Sequence, residues 1–509
     1  MKPLLCAKAA RTNDYYTMHS LGVGEHELIL RVAHCALDAL QEGEYDTSAP
    51  CIVCGHGNNG ADGMALATLL WQIGCRVTIV YTGKTDADGK PDADAMSTQC
   101  KIFYQKALTS GIPVLVNALP ERATVFVDAI FGIGLRGDID AHVCRVIEAI
   151  NERGVPVLAI DIPSGVYADT GNTAQIAVCA TQTLSVQSDK IGLYVYPGAG
   201  HAGTVTLADV GIVQDPDAPP TACFAIEDSD LPFLMPTRPA RSHKGTYGRV
   251  LVIGGSPCMA GAAYFAAMGA FRAGAGLVEI FTPEQNRTVL QTLIPEAILC
   301  CYQAEEDLVP LLKGAIGRAD AVVMGCGIGC SDAAKAAVST ALDTVSVPLV
   351  LDADALNVIA KHPELLKNIS PEQKKRTVMT PHAAEAARLL GAFAGIDAVT
   401  EHIFATAQSL YEQFEINVLL KDAHSIIHTC DGICFVNPIG STALSTAGSG
   451  DVLAGVIAGL TASKTNPMPM GKTAALGAYL HAKAGVRAEQ AVGAHAAMAR
   501  DILNGLCKE

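Results

Sequence analysis

The chain has 509 residues, 48 of them glycine; half of it is hydrophobic, only 5% is aromatic, and the formal net charge is -15. That length is about three times a usual single domain, and the small-residue bias predicts a parallel α/β protein with two or three domains and a large core. The acidic balance argues against general nucleic-acid binding and against an anionic membrane surface, so a phosphorylated ligand must be held by local groups.

The 17 cysteines are scattered through apolar segments, and the N-terminus carries no charged-apolar-small leader, so reduced thiols and a cytoplasmic location are expected. Cys51 and Cys54 form a C-x-x-C, but residues three apart in a strand face opposite sides, and no second pair stands at zinc spacing. Both read as buried structural thiols.

From Cys51 the pattern alternates: strand Cys51–Cys54, loop Gly55–Gly63, helix Met64–Ile73, strand Arg76–Tyr81. The apolar runs Val125–Ile130 and Val155–Ile162 read as buried strands with Asp128 and Asp161 near their carboxyl ends, where open α/β sheets bind ligands. The acidic, proline-rich segment Gln214–Pro220, followed by Pro232, Pro236 and Pro239, interrupts this rhythm and predicts an interdomain connection. The longest apolar stretch, Ala260–Val278, contains Arg272 and reads as a buried helix rather than a membrane span. A second alternation runs through Arg249–Gly254, Gly274–Phe281, Asp320–Met324, Val347–Asp352, Thr377–Thr380 and Val418–Lys421. It leads to Thr446-Ala447-Gly448-Ser449-Gly450-Asp451 and the small-residue helix Val452–Leu460. A glycine turn entering a helix aims free N–H groups at an anion, and Asp451 in the first turn adds a possible catalytic base. Alone, the same turn could be an ordinary entry into a tightly packed helix.

In the first half the loop Gly55-His56-Gly57-Asn58-Asn59-Gly60-Ala61-Asp62-Gly63 does not match dinucleotide-fingerprint spacing. Together with Val127-Asp128 through Gly137 and Ile160-Asp161-Ile162-Pro163-Ser164-Gly165, it resembles the NAD(P)H-hydrate epimerase domain. That resemblance implies a Rossmann-like three-layer αβα fold. It further implies that Asn58, Asn59, Gly60, Ala61 and Asp62, with Gly132, Ile133, Gly134, Leu135, Arg136, Gly137 and Asp138, hold the hydrated nucleotide. Asn59, Asp128 and Ser164 would ligate K+, a hard cation suited to oxygen donors, and Asp161 would be the general base and a substrate contact. Ala61 stands where the family usually has a second glycine.

In the second half His243–Arg249, Gly254-Gly255-Ser256, Gly325-Cys326-Gly327, Asp352–Leu356, Thr380–Glu385, Lys421 and Gly448–Asp451 follow in order. This series resembles the NAD(P)H-hydrate dehydratase, a ribokinase-like αβα domain. The resemblance implies that Ala262, Gly327, His382 and Asp451 contact the hydrated nucleotide, and that Lys421, Asp422, Ala423, His424, Ser425 and Gly450 contact ADP. Asp451 would be the catalytic base, with Mg2+ accompanying the co-substrate. Asp422 replaces the family's usual glycine.

The expectation is a bifunctional repair enzyme for hydrated NADH and NADPH, with an epimerase domain at 1–222, a dehydratase domain at 228–509, nucleotide partners only, and a homo-oligomeric state. A ribokinase-like vitamin-precursor kinase would share the Gly-Ser-Gly-Asp turn but leave the Asn-Asn-Gly-Ala-Asp-Gly half unexplained. A non-catalytic nucleotide sensor would be expected to lack Asp161 and Asp451, and both are present.

Overall fold

Runs such as Val125–Ala129 and Val157–Ile160 are buried at every position, the mark of strands covered on both faces. The computed structural model describes residues 1–303, 308–367, 369–391 and 395–507. They divide into two compact units, Pro3–Thr221 and Ala222–Glu509, the latter including Met1–Lys2. Among the described residues no helix is long and apolar enough to cross a membrane.

The first unit holds a parallel sheet in the order Val114–Val116, Thr78–Tyr81, Pro50–Cys54, Val125–Ala129, Val157–Ile160, Gln182–Val186, Thr204–Ala208. Helices Glu25–Glu42, Asn58–Gln72 and Thr98–Thr109 pack on the face bearing Ile52 and Cys54, and Ala141–Glu152 packs on the face bearing Cys51 and Val53. The two cysteines therefore enter different cores, as strand geometry requires, and burial pushes the Cys51 thiol up to about 12. Successive strands run outward in opposite directions from Pro50–Cys54. The crevice between its carboxyl end and that of Val125–Ala129 is a topological switch point.

In the second unit the order is Ile298–Tyr302, Leu277–Pro283, Arg249–Ile253, Ala321–Met324, Leu349–Leu351, Thr377–Met379, Asn417–Leu420, Ile426–His428, Cys434–Val436, Cys223–Ala225. The pairings are parallel except those flanking Ile426–His428, which are antiparallel. Val250, Val252, Val278 and Val323 join one core with helices Ala260–Arg272, Ser449–Ala462 and Met470–Val492. The switch point here lies between Arg249–Ile253 and Ala321–Met324.

Three segments differ from the sequence expectations. The stretch Ala260–Val278 is a helix only to Arg272, because Gly274 turns the chain with φ +105° and Val278 already lies in the next strand. The helix expected from Met64 begins at Asn58 behind the extended N-cap Gly57. Its polar, glycine-rich first turn looks like loop to a propensity argument, yet only glycine at position 60 allows that turn to lie against the Gly55 carbonyl: a Cβ there would meet this oxygen at 2.1 Å. Finally, Cys223–Ala225 precedes the expected start at 228 but pairs with Cys434–Val436 as part of the second unit's sheet.

Candidate active sites

The strand Val157–Ile160 delivers Asp161 into the first switch-point crevice with φ 71°, a left-handed conformation uncommon outside glycine. Three contacts fix it. Its N–H donates to the Leu184 carbonyl (2.8 Å), Oδ2 accepts from the Ile133 N–H (3.2 Å), and Oδ1 lies 2.5 Å from Lys190 Nζ. Lys190 is only 1% exposed and also donates to the Val186 carbonyl at 2.9 Å.

Beside it, Asp128 is fully buried at the end of its strand and accepts from Ser164 Oγ (2.6 Å), the Ser164 N–H (2.7 Å) and the Ile130 N–H (3.2 Å). Burial pushes its carboxyl up to about 6 against the pull of those hydrogen bonds. Asn59 donates from Nδ2 to the Ile160 carbonyl at 3.3 Å, while its buried Oδ1 has no hydrogen-bond partner among the described residues. A buried unpaired acceptor together with carboxylate and hydroxyl oxygens is a donor set that suits a hard cation such as K+.

A cavity of about 790 Å³ opens in front of these strand ends. Asn58, Asn59, Asp62, the run 132–136, Asp138 and Asp161 line it; Gly60, Ala61 and Gly137 are not among its lining residues. Ala61 packs its methyl into the core, so the replacement of glycine there alters packing rather than the cavity wall. The first-turn helix amides and the Asn58 side chain, which bonds Glu25 at 2.7 Å, border an anion-ready N-terminus. Motif reading missed Lys190 and Asp14, both lining the cavity. Lys190 follows the polar run Gln187-Ser188-Asp189, so nothing local marks it as buried. Asp14, from helix Ala7–His19, is distant in sequence and carries no signal either.

In the second unit three polar residues lie just beyond strand carboxyl ends: Asp352 after Leu349–Leu351, and the predicted His382 after Thr377–Met379 and Lys421 after Asn417–Leu420. Asp451 is the third residue of helix Ser449–Ala462, whose N-cap Gly448 has φ 90°. Ser449 Oγ lies 3.2 Å from Nε2 of buried His481, whose pKa burial lowers to about 4. Lys421 Nζ donates to Asp352 Oδ1 at 2.8 Å and lies 3.9 Å from Glu385 Oε2. Burial works against its charge, and Asp352 and then Glu385 outweigh that effect, holding its pKa above the usual value. Asp451 is pushed up to about 7, first by burial and then by Asp352, against the Cys326 thiol and Lys421. A Cβ on Gly450 would lie 3.4 Å from Lys421 Nζ, so the glycine turn and the lysine face one point.

Gly327, with φ +67°, abuts Ala262: a Cβ there would stand 2.8 Å from the Ala262 methyl. His382 caps helix Ala383–Leu390, its Nδ1 accepting from Ala384 N–H at 3.1 Å, while Nε2 lies 3.3 Å from Glu385 Oε1. The segment 421–425 joins Asn417–Leu420 to the antiparallel strand Ile426–His428. Within it burial raises the Asp422 pKa, Ser425 is buried, and a Cβ on Gly440 would approach the Ala423 carbonyl at 2.5 Å and His424 at 3.3 Å. Asp352 and Cys326 belong to motifs read in the sequence without an assigned role. One donor atom from each lies within 4.8 Å of the others and of one from Asp451.

Each half is thus an α/β unit in which a helix capped by glycine opens beside a strand-end or helix-start carboxylate, an arrangement suited to an enzyme acting on small molecules. Residues 250–507 match the family described as NAD(P)H-hydrate dehydratase, and residues 25–192 match that described as YjeF-related protein N-terminus. The bifunctional NAD(P)H-hydrate repair enzyme of Coxiella burnetii is 34% identical, the alignment covering 94% of each chain. Those of Moorella thermoacetica and Escherichia coli are 36% and 31% identical, covering 89% and 88% of this chain and 86% and 82% of theirs. A solved ribokinase-like superfamily protein from Enterococcus faecalis is 26% identical with a TM-score of 0.49, covering 58% of this chain and 97% of that one. The ADP/ATP-dependent NAD(P)H-hydrate dehydratase from Bacillus subtilis, co-crystallised with ATP/Mg2+, is 29% identical with a TM-score of 0.47, covering 55% and 95%. The chain belongs to the bifunctional NAD(P)H-hydrate repair enzyme family.

Proposed function

We propose that residues 1–222 epimerise the R and S forms of hydrated NADH and NADPH, and that residues 228–509, with strand Cys223–Ala225 before them, dehydrate the S form at the expense of ADP. The observation carrying this reading is the meeting of Asp451, Asp352 and Lys421 at the open N-terminus of helix Ser449–Ala462.

Hydroxide is a poor leaving group, so the C6 hydroxyl is first phosphorylated. Asp451 takes the hydroxyl proton, which suits a carboxyl whose pKa lies near neutrality. The amides of 447–450 and the Lys421 ammonium stabilise charge on the transferring phosphoryl group. Departure of phosphate from C6 with a proton from C5 then restores the dihydropyridine ring. Ala262, Gly327 and His382 border the hydrated nicotinamide, and Lys421–Ser425 with Gly450 border the adenine nucleotide. Mg2+ accompanying the co-substrate would supply charge neutralisation there.

In the first unit Asp161 moves the hydroxyl proton while the carbinol carbon opens and recloses. The first turn of helix Asn58–Gln72 and the 132–138 loop hold the diphosphate. Asn59, Asp128 and Ser164 would hold K+, which supplies fixed positive charge beside those phosphates. The proposal includes a cytoplasmic setting, consistent with the unpaired cysteines, and self-association, which light scattering would measure.

The test is recovery of near-ultraviolet absorbance from hydrated NADH with purified protein and ADP. Recovery with ADP and not with ATP supports the reading. No recovery with either removes the dehydratase assignment.

A further inference from the structure

Opening a carbinolamine ring moves two protons: the hydroxyl loses one, and the ring nitrogen gains one as its bond to carbon breaks. Asp161 accounts for the first. The second needs an acid in the same cavity, and the proposed roles in holding the diphosphate and K+ assign that task to no residue.

Asp14, on helix Ala7–His19, lines the cavity with Asp161 and Lys190. Their environments differ. Asp161 is ion-paired to Lys190 at 2.5 Å and accepts from the Ile133 amide. The Asp14 carboxyl makes no hydrogen bond or ion pair among the described residues, and it is pushed up to about 6, first by burial and then by the Asp161 charge, against Lys190 and Arg11. The coupling extends to Asp62, whose pKa is raised well above the usual range by burial and by Asp161, Asp14 and Glu25. A carboxylate ion-paired to a lysine and an unpaired, part-buried carboxyl facing the same cavity form the usual arrangement of a base and an acid.

We propose that Asp14 is a catalytic acid of the N-terminal site, protonating ring nitrogen N1 while Asp161 removes the proton of the C6 hydroxyl. The inference rests on the epimerase reading of this site. On opening, the O–H electron pair becomes the second C6–O bond, the C6–N1 pair goes to nitrogen, and nitrogen takes the Asp14 proton. The products are an aldehyde and an enamine N–H, with no net proton change and no oxidant. Rotation about C5–C6 presents the other carbonyl face. On closure N1 attacks C6, returns its proton to Asp14, and the new alkoxide recovers the proton from Asp161.

The experiment follows interconversion of chromatographically separated epimers by the full chain in saturating K+, across pH, for the unaltered protein, Asp14→Asn and Asp14→Glu. The unaltered rate should fall as pH rises above about 6, where the acid form of Asp14 is lost. Asp14→Asn should lower kcat on the order of 100-fold with KM nearly unchanged and abolish that fall; Asp14→Glu should restore part of the rate. An unchanged kcat and pH profile in Asp14→Asn would overturn the proposal, as would a raised KM at normal kcat. Should Asp14→Asn fail to fold, an unaltered-protein rate that does not decline above about 6 overturns it instead. If the unaltered chain gives no acceleration over buffer, the epimerase reading itself fails, a result distinct from a defect confined to the variant.

Discussion

Lys421 Nζ lies 2.8 Å from Asp352 Oδ1, and Asp352 shares a cluster with Asp451 and Cys326. The lysine is a positive group that offsets buried Asp352 and half-buried Asp451, while the helix N-terminus behind Gly448 supplies partial positive charge. Removing the lysine therefore changes both stability and the titration of Asp451.

Lys421→Met is expected to cost about 3 kcal/mol of stability, the scale of leaving a buried charge unpaired, because Asp352 is 2% exposed. The residual dehydratase activity should require higher pH, since Lys421 lowers the Asp451 pKa that otherwise stands at about 7. Denaturant titration and a pH–rate profile check the two parts. A profile unshifted in the variant would separate Lys421 electrostatically from Asp451.

Asp451→Asn should lower dehydration by about 10²- to 10⁴-fold while leaving adenine-nucleotide binding largely intact. Its stability effect has a definite sign. The folded-state pKa, about 7, lies above the ordinary 3.8, so this group's contribution is complete below 3.8 and is lost as pH rises through about 7. Asparagine does not ionise. The variant should therefore melt above the unaltered protein at pH higher than 7, with the gap closing below 3.8. Melting curves at both extremes test this.

Asn59→Leu removes the unpaired buried Oδ1 together with the bond to the Ile160 carbonyl. The K+ concentration for half-maximal epimerisation should rise by roughly tenfold or more, with a stability change within about 1 kcal/mol. An unaltered K+ dependence would exclude Asn59 as a ligand.

The two activities should separate when the chain is cut between Gln214 and Thr221. A C-terminal fragment starting at Ala222 keeps strand Cys223–Ala225 on Cys434–Val436; one starting at Glu227 bares that edge and should aggregate more readily. Light scattering of both fragments provides the comparison.

The strand-end carboxylates were legible because an apolar run closed by aspartate is a local signal; Asp128 and Asp161 show it plainly. The αβα class was legible for the same reason, in the alternation of buried runs with helical stretches. The start of helix Asn58–Gln72 was not, because its first turn depends on the contact between Gly60 and Gly55 rather than on propensity. Nor was the end of the helix within Ala260–Val278, where apolar periodicity continues past the turn at Gly274. Asp14 and Lys190 enter the first site, and Cys326 and Asp352 the second, through sheet order and helix placement, so their association is a tertiary fact.

The division of labour between the halves is tested most directly by supplying an R,S mixture of hydrated NADH and excess ADP to the full chain and to Asp161→Asn, an amide of nearly the same shape beside Lys190. The unaltered chain should consume both epimers to completion. The variant should consume the S form rapidly and then continue only at the rate at which R converts to S in buffer. Rapid consumption of both epimers by Asp161→Asn would contradict the account.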